Sequence, residues 1–226
     1  MKLTYLGHSC FSVAAGGKTL LFDPFITPNP LAAHIDINAI QADYILLSHG
    51  HADHVADAAA IAKRTGATVI APFEVGNWVA RQGVDKVQHM NHGGKIHLDF
   101  GTVKLTNAIH SSSLPDGSYG GNPAGFLVTA NGESFYYSGD TALTCDMKLI
   151  GDSTQLKFAV LPVGDNFTMG YEDALIAADF VKCDQVVGVH YDTFPPIKID
   201  HDKAIKFFHQ AGKTLHLPKI GDSLNF

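Results

Sequence analysis

The sequence has little cysteine, no excess of positive charge and no long hydrophobic run. Cys10, Cys145 and Cys183 are scattered and odd in number, which disfavours both a disulfide framework and a zinc finger. Sixteen basic against twenty-two acidic residues give a net charge of −6, so nothing attracts nucleic acid or an anionic membrane electrostatically. No run approaches the roughly 18 apolar residues of a membrane span. We expect a small-molecule substrate and no nucleic-acid or membrane partner.

Met1–Leu6 is predicted to form a strand. This segment does not contain the apolar core of a signal peptide. With 46% apolar and 17% charged residues, the composition is that of an ordinary globular protein. No linker, repeat or low-complexity tract divides the 226 residues. These features predict one cytoplasmic domain over residues 1–226.

Two stretches of β-type runs each lead into helical segments. The first contains the buried run Tyr44–Leu47, and the second extends from Val87 to Tyr137. Helices are predicted over 55–63, 74–81, 171–182 and 202–210. This repetition predicts an α/β (α+β) fold in which two sheets pack together with helices outside, a four-layer αβ/βα sandwich.

Histidine is abundant, with thirteen residues, and the most informative group is His49-Gly50-His51-Ala52-Asp53-His54. It follows the predicted strand Tyr44–Leu47. In extended backbone the side chains of His49 and His51 project to the same side, so they can share one metal ion. Asp53 and His54 fall where the chain turns into a helix and suit a second position. The i, i+4 histidine pair of helix-borne zinc motifs is absent.

Three further candidate ligands follow β-type runs in the second stretch. His110 follows Val103–Ile109, Asp140 follows the run that ends at Tyr137, and His190 follows Val186–Val189. Ends of strands at one edge of a sheet converge, and catalytic zinc commonly takes three protein ligands. The spacing therefore predicts that these residues complete a metal site.

Taken together, these residues resemble the metallo-β-lactamase superfamily over the whole chain. Segments such as Gly7-His8-Ser9, Gly139–Leu143 and Gly164–Gly170 look like its little-characterised bacterial and archaeal metal-dependent hydrolases, which are similar to the ascorbate 6-phosphate lactonases. Tyr171 and Asp192 depart from that branch, which often has proline and asparagine there.

The resemblance implies a dinuclear metal site with seven ligands. One metal would be held by His49, His51 and His110, the other by Asp53, His54 and His190, with Asp140 bridging both. Two such ions would hold a bridging hydroxide that attacks an ester, a lactone or a phosphorylated small metabolite, and Asp53 could receive its proton. Zinc is expected, although this ligand set also suits manganese, iron or nickel.

Three more residues have two interpretations each. Asp23 is expected to accept a hydrogen bond from a ligand histidine, although it could be an ordinary strand-end residue before Pro24. His8 either lines the substrate side of the metal centre or anchors the first hairpin. Asn166 either donates to developing negative charge or belongs to a turn.

Other functions stay open at this point. A phosphodiesterase or nuclease-like hydrolase is one alternative, and a non-catalytic metal- or ligand-binding sensor on the same fold is another. Retention of His51 disfavours di-iron redox chemistry, and Asp140 stands where many true lactamases use cysteine. Relatives commonly self-associate, so a homo-oligomer is a further expectation.

Overall fold

The computed structural model describes all 226 residues, and its first β-sheet has seven strands. Six of them follow one another in space as in the chain, and the last strand of the protein pairs with the first. They are β1 (Lys2–Gly7), β2 (Cys10–Ala15), β3 (Lys18–Phe22), β4 (Tyr44–Leu46), β5 (Thr68–Pro72), β6 (Val87–Met90) and, beside β1, β14 (Ser223–Asn225). Pairing is antiparallel from β14 to β3 and parallel from β3 to β6.

The second sheet repeats this plan. Its strands are β7 (Lys95–Leu98), β8 (Gly101–Asn107), β9 (Ala124–Ala130), β10 (Glu133–Tyr137), β11 (Phe158–Pro162), β12 (Gln185–Val189) and β13 (Thr214–His216). The pairs from β7 to β10 are antiparallel and those from β10 to β13 are parallel. Each half of the chain therefore builds an antiparallel meander followed by parallel strands with helical crossovers.

Six α-helices connect the strands. They are α1 (Ala52–Val55), α2 (Ala58–Thr65), α3 (Phe73–Arg81), α4 (Met147–Ser153), α5 (Tyr171–Phe180) and α6 (His201–Gln210). None of them has the length and apolarity needed to cross a bilayer.

Apolar side chains pack in two layers. The larger core lies between the sheets, where the ring of Phe22 stacks on Phe11 at 4.5 Å and meets Phe135 at 5.8 Å. The smaller core joins the first sheet to α2 and α3 and contains Ile61 and Val75. Burial of this apolar surface is the main stabilising contribution, at about 25 cal/mol per Å². The predicted four-layer αβ/βα sandwich is confirmed.

Several predicted boundaries are wrong. The helix expected over 55–63 is two helices, α1 and α2, separated at Ala56–Asp57. Asp57 Oδ2 accepts hydrogen bonds from the backbone N–H groups of Ile26 and Thr27 at 2.6 and 2.9 Å, so its side chain binds a distant loop. Alanine-rich composition cannot reveal such a long-range contact.

Other boundaries differ in the second half. Helix α4 was not predicted, and the helix expected over 171–182 ends at Phe180. Strand β8 ends at Asn107, so His110 lies three residues into the following loop rather than at the strand end. The displaced His110 still reaches the candidate ligands contributed by other strands.

Candidate metal centre

The candidate ligands meet at one edge of the sandwich. The loop after β4 carries His49–His54, and the loops after β10 and β12 carry Asp140 and His190. His8 lies in the turn between β1 and β2, and its carbonyl accepts a hydrogen bond from the His190 N–H at 3.0 Å. This bond joins the two sheets beside the cluster.

One group of donors consists of His49, His51 and His110. Its ring nitrogens lie within 4.8 Å of one another. His49 Nε2 is 2.9 Å from His51 Nδ1, and the ring centroid of His110 is 5.1 Å from those of both histidines. Three imidazoles converging in this way leave space for one cation between their nitrogens.

A second group contains Asp53, His54 and His190, with His8 beside them. Asp140 lies between the two groups. Its Oδ2 is 3.0 Å from His190 Nε2, 3.2 Å from His54 Nε2 and 3.7 Å from His110 Nε2. Asp140 is thus within reach of histidines from both groups.

The donors fit divalent metal ions by an observation independent of the motif. His54 Nε2, His190 Nδ1 and Asp140 Oδ1 are buried and have no hydrogen-bond partner. Buried polar atoms are nearly always paired, and an unpaired one costs about 1–3 kcal/mol. Of these three atoms His54 Nε2 faces the cluster, and metal coordination would satisfy it. His190 and Asp140 face the cluster through Nε2 and Oδ2. Imidazole and carboxylate ligands suit zinc as well as manganese, iron and nickel.

Asp23 supports the cluster from behind. It is buried, and it accepts hydrogen bonds from Ser48 N–H at 2.7 Å, from Tyr137 O–H at 2.6 Å and from His54 Nδ1 at 2.8 Å. Because His54 Nδ1 donates to Asp23, the Nε2 lone pair is directed toward Asp140 and the cluster. This is the contact expected of Asp23.

His8 does not face the solvent. Its buried ring lies between Asp53 and Thr193, with Nε2 3.0 Å from Asp53 Oδ2 and Nδ1 3.0 Å from Thr193 Oγ1. Burial lowers the pKa of His8 to about 4, so the ring is neutral near pH 7. A neutral ring has one N–H, which donates from Nε2 to Asp53, so Nδ1 is an acceptor and shares the single Thr193 hydroxyl proton with the Tyr191 carbonyl.

Charged neighbours in the cluster change the pKa values that burial alone would give. Burial acts to raise the pKa of Asp140, but the neighbouring charges of His190 and His54 outweigh it and hold that pKa well below the usual range. Burial, together with the neighbouring His54, lowers the pKa of His49 well below that of a free imidazole. Burial acts to lower the pKa of His54, but the carboxylates of Asp140, Asp53 and Asp23 outweigh it and raise that pKa well above the usual value. Metal binding needs ionised carboxylates and neutral imidazoles, so a bound ion would take the place of the proton on His54.

Asn166 lies in the loop Gly164–Gly170, whose ends pair at those two glycines. The Met169 N–H donates to the Thr141 carbonyl at 3.0 Å, so this loop is attached next to Asp140. The Asn166 side chain is exposed and binds no other side chain. Its expected role as an amide donor stays a prediction.

Sequence reasoning missed three residues that support the cluster. Tyr137 donates to Asp23, Thr193 contacts His8, and Ser112 Oγ accepts a hydrogen bond from Gly50 N–H at 3.0 Å. Each is a single polar residue outside the quoted motifs. The one available signal was the position of Tyr137, a strand-end tyrosine shortly before Asp140.

Comparison with known proteins identifies the class of this fold and site. The family model described as a beta-lactamase superfamily domain matches residues 18–191. The solved structure of Igni18, a metallo hydrolase from Ignicoccus hospitalis, aligns with a TM-score of 0.89 and 34% identity, covering 100% of this chain and 98% of that one. An isothiocyanate hydrolase from Delia radicum gut bacteria has the same fold, with a TM-score of 0.77, 20% identity and coverage of 100% and 99%.

Curated relatives are more similar in sequence. A UPF0173 metal-dependent hydrolase from Flavobacterium johnsoniae is 52% identical over 224 residues, which are 99% of each chain. Another from Methylacidiphilum infernorum is 50% identical, also over 99% of each chain. The chain therefore belongs to the UPF0173 metal-dependent hydrolases, within the metallo-β-lactamase superfamily.

Proposed function

We propose that this metal-dependent hydrolase uses a dinuclear centre to cleave an ester, a lactone or a phosphorylated small metabolite. The observation that carries the proposal is the convergence of five histidines and two aspartates from both sheets around buried, unpaired donor atoms. His49, His51 and His110 would hold one ion, while Asp53, His54 and His190 would hold the other. Asp140 would bridge the two, and zinc is the expected metal.

The metal ions, when bound, supply Lewis acidity and lower the pKa of water toward about 7, which makes hydrolysis feasible at neutral pH. Asp53 is the carboxylate of this site best placed to meet solvent and substrate. Its side chain is 25% exposed, against 2% for Asp140 and 0% for Asp23. We assign to Asp53 the role of proton acceptor.

His8 orients that acceptor. Its Nε2–H donates to Asp53 Oδ2, the oxygen that also lies 3.9 Å from both His54 Nε2 and His190 Nε2, and Oδ1 is left to accept a proton. Phe25 and Phe194 pack against the His8 ring edge to face, with centroids at 5.5 and 5.4 Å, and limit its movement. The neutral ring is therefore a positioning residue for Asp53.

The experiment that tests hydrolysis uses the full chain with its metal content measured by mass spectrometry. We expect p-nitrophenyl acetate or bis(p-nitrophenyl) phosphate to be cleaved, activity to vanish with dipicolinate, and added Zn²⁺ or Mn²⁺ to restore it. Faster phosphate diester turnover would favour the phosphodiesterase alternative. Two bound metals with no metal-stimulated hydrolysis across a broad panel would instead indicate a sensor.

The role of Asp53 is tested by Asp53→Asn. Loss of a general base typically lowers kcat by about 10²- to 10⁴-fold. Metal content measured on the same sample separates a lost ligand from a lost proton acceptor. An Asp53→Asn variant that keeps both metals and full turnover would exclude the proton-acceptor role.

A further inference from the structure

The loops around the proposed metal centre contain no lysine or arginine. All sixteen basic residues lie outside residues 8–9, 23–43, 47–57, 108–123, 138–146, 163–170 and 190–197. Lys198 and Lys203 line a cleft whose other charged residues are Asp165, Glu172 and Asp200. Lys219, from the segment before β14, lines a cavity with His8 and Thr193. Proteins generally recognise phosphate and carboxylate groups with arginine or lysine. These loops therefore offer no side-chain cation to an anionic substrate.

The same loops expose large apolar side chains. Ile109, Tyr119 and Phe167 are 51%, 67% and 53% exposed, and we call these three residues the apolar rim. Ile109 immediately precedes His110. Its N–H donates to Thr141 Oγ1 at 3.0 Å, beside Asp140. The backbone of Ile109 is thus held next to two proposed ligands.

Phe167 is attached to the same place. The Met169 N–H donates to the Thr141 carbonyl at 3.0 Å, so Thr141 anchors both the Phe167 loop and Ile109. Asp165 and Asn166 have left-handed φ angles of 61° and 59°, which aspartate and asparagine tolerate better than other non-glycine residues. These two residues turn the loop tightly and leave Phe167 exposed near its tip.

Tyr119 is carried by the hairpin Ser112–Gly120. The hairpin is closed by the Gly120 N–H, which donates to the Ser112 carbonyl at 3.0 Å. Ser112 Oγ also accepts from Gly50 N–H, between His49 and His51. All three residues of the apolar rim therefore lie on loops bonded to residues that adjoin proposed ligands.

We infer that the apolar rim binds an uncharged, apolar part of the substrate, so that a neutral ester or lactone is favoured over a phosphorylated metabolite. This inference rests on the proposed function. Exposed apolar side chains on the loops around a site favour binding of an apolar group there, because the contact removes both surfaces from water. The absence of cations from these loops selects an uncharged ligand.

The first experiment compares p-nitrophenyl acetate, butyrate and hexanoate with the mono-p-nitrophenyl ester of glutaric acid. We expect kcat/KM to rise about two- to fourfold for each methylene, since a buried methylene contributes roughly this factor. The charged glutarate ester should react at least tenfold more slowly than hexanoate. Equal rates along the series, or a preference for glutarate, would overturn the inference while leaving metal-dependent hydrolysis in place.

Substitutions in the apolar rim test whether these residues cause the chain-length dependence. Phe167→Ala and Ile109→Ala should flatten the dependence of kcat/KM on the length of the acyl chain. Ile176→Ala is the matched control, because Ile176 is 41% exposed on α5 and belongs to none of the ligand-bearing loops. Ile176→Ala should preserve the dependence of kcat/KM on the length of the acyl chain. Unchanged chain-length dependence in Phe167→Ala and Ile109→Ala would contradict the assignment to the apolar rim.

Binding gives a readout that does not require hydrolysis. Calorimetry on the metal-loaded protein with acetohydroxamate and hexanohydroxamate should give at least tenfold tighter binding of the longer chain, and Phe167→Ala should remove this difference. Tighter binding of the longer chain would support substrate binding at the apolar rim even if no ester were cleaved. Absence of ester cleavage would refute only the proposed function. Equal affinities, together with a dimer in sedimentation that Phe167→Ala dissociates, would show instead that the rim is an interface between copies.

Discussion

The two halves of the chain build similar sheets but supply their candidate ligands differently. The first half contributes one continuous run, His49–His54, after a single strand. The second half contributes His110, Asp140 and His190 from three separate loops. A local run constrains the positions of its side chains by itself, whereas isolated residues meet only when the sheet is assembled. The second half therefore depends more heavily on tertiary structure.

Hydrogen bonds across the sheets hold the halves in register. The Tyr137 hydroxyl of the second sheet donates to Asp23 of the first at 2.6 Å, and the Ala124 N–H donates to the Ser48 carbonyl at 3.0 Å. These bonds lie directly behind the histidine run. Substitutions that remove contacts between the halves one at a time show how strongly stability, metal binding and activity depend on those contacts.

Asp140→Asn should have the largest effect, because Asp140 is the carboxylate that adjoins ligands from both halves. We expect kcat/KM to fall by at least about 1000-fold, the equivalent of several kcal/mol of lost transition-state stabilisation. Metal content and kinetics are measured together, with the exposed Asp152→Asn as control. Wild-type activity in Asp140→Asn would show that the first half binds the essential metal without it.

Tyr137→Phe should have an intermediate effect, since it removes one donor to Asp23 and leaves the others. We expect about 1–3 kcal/mol lower unfolding free energy and roughly tenfold weaker metal binding. Urea unfolding and chelator competition measure these changes. Tyr136→Phe is the control, because the neighbouring buried hydroxyl has no hydrogen-bond partner. If both variants lost the same stability and metal affinity, the hydrogen bond from Tyr137 to Asp23 would have no specific role in joining the two halves.

Ser112→Ala should have the smallest effect. It removes the acceptor for Gly50 N–H and the hydroxyl that donates to the Gly120 carbonyl at 3.0 Å. We expect about 1 kcal/mol lower stability and a few-fold lower kcat/KM, because the histidine run keeps its bonds to Asp23. Ser113→Ala, at an exposed neighbouring position, serves as control. If kcat/KM fell as far as in Asp140→Asn, this hairpin would be the main support of the run His49–His54.

Prediction from sequence succeeded where the determinant was local. Apolar runs located β4 and β12, and the spacing of His49 and His51 indicated that their imidazoles lie on one side, where His49 Nε2 is 2.9 Å from His51 Nδ1. It failed where a distant contact decided the outcome, as at Asp57, which divides one expected helix into two. Thr193 could not be found because its partner His8 is 185 residues away in the chain. Tyr137 offered one signal, its position at a strand end shortly before Asp140.

The sequence by itself determined the class of fold, the histidine run and the candidate ligand types, because periodicity and short-range spacing encode them directly. Only the tertiary structure decided that Asp140 lies between the two histidine groups, that His8 is buried against Asp53, and that three exposed apolar side chains lie on loops bonded to residues beside the proposed ligands. These relations arise from packing one sheet against the other, which brings together side chains that no local pattern connects.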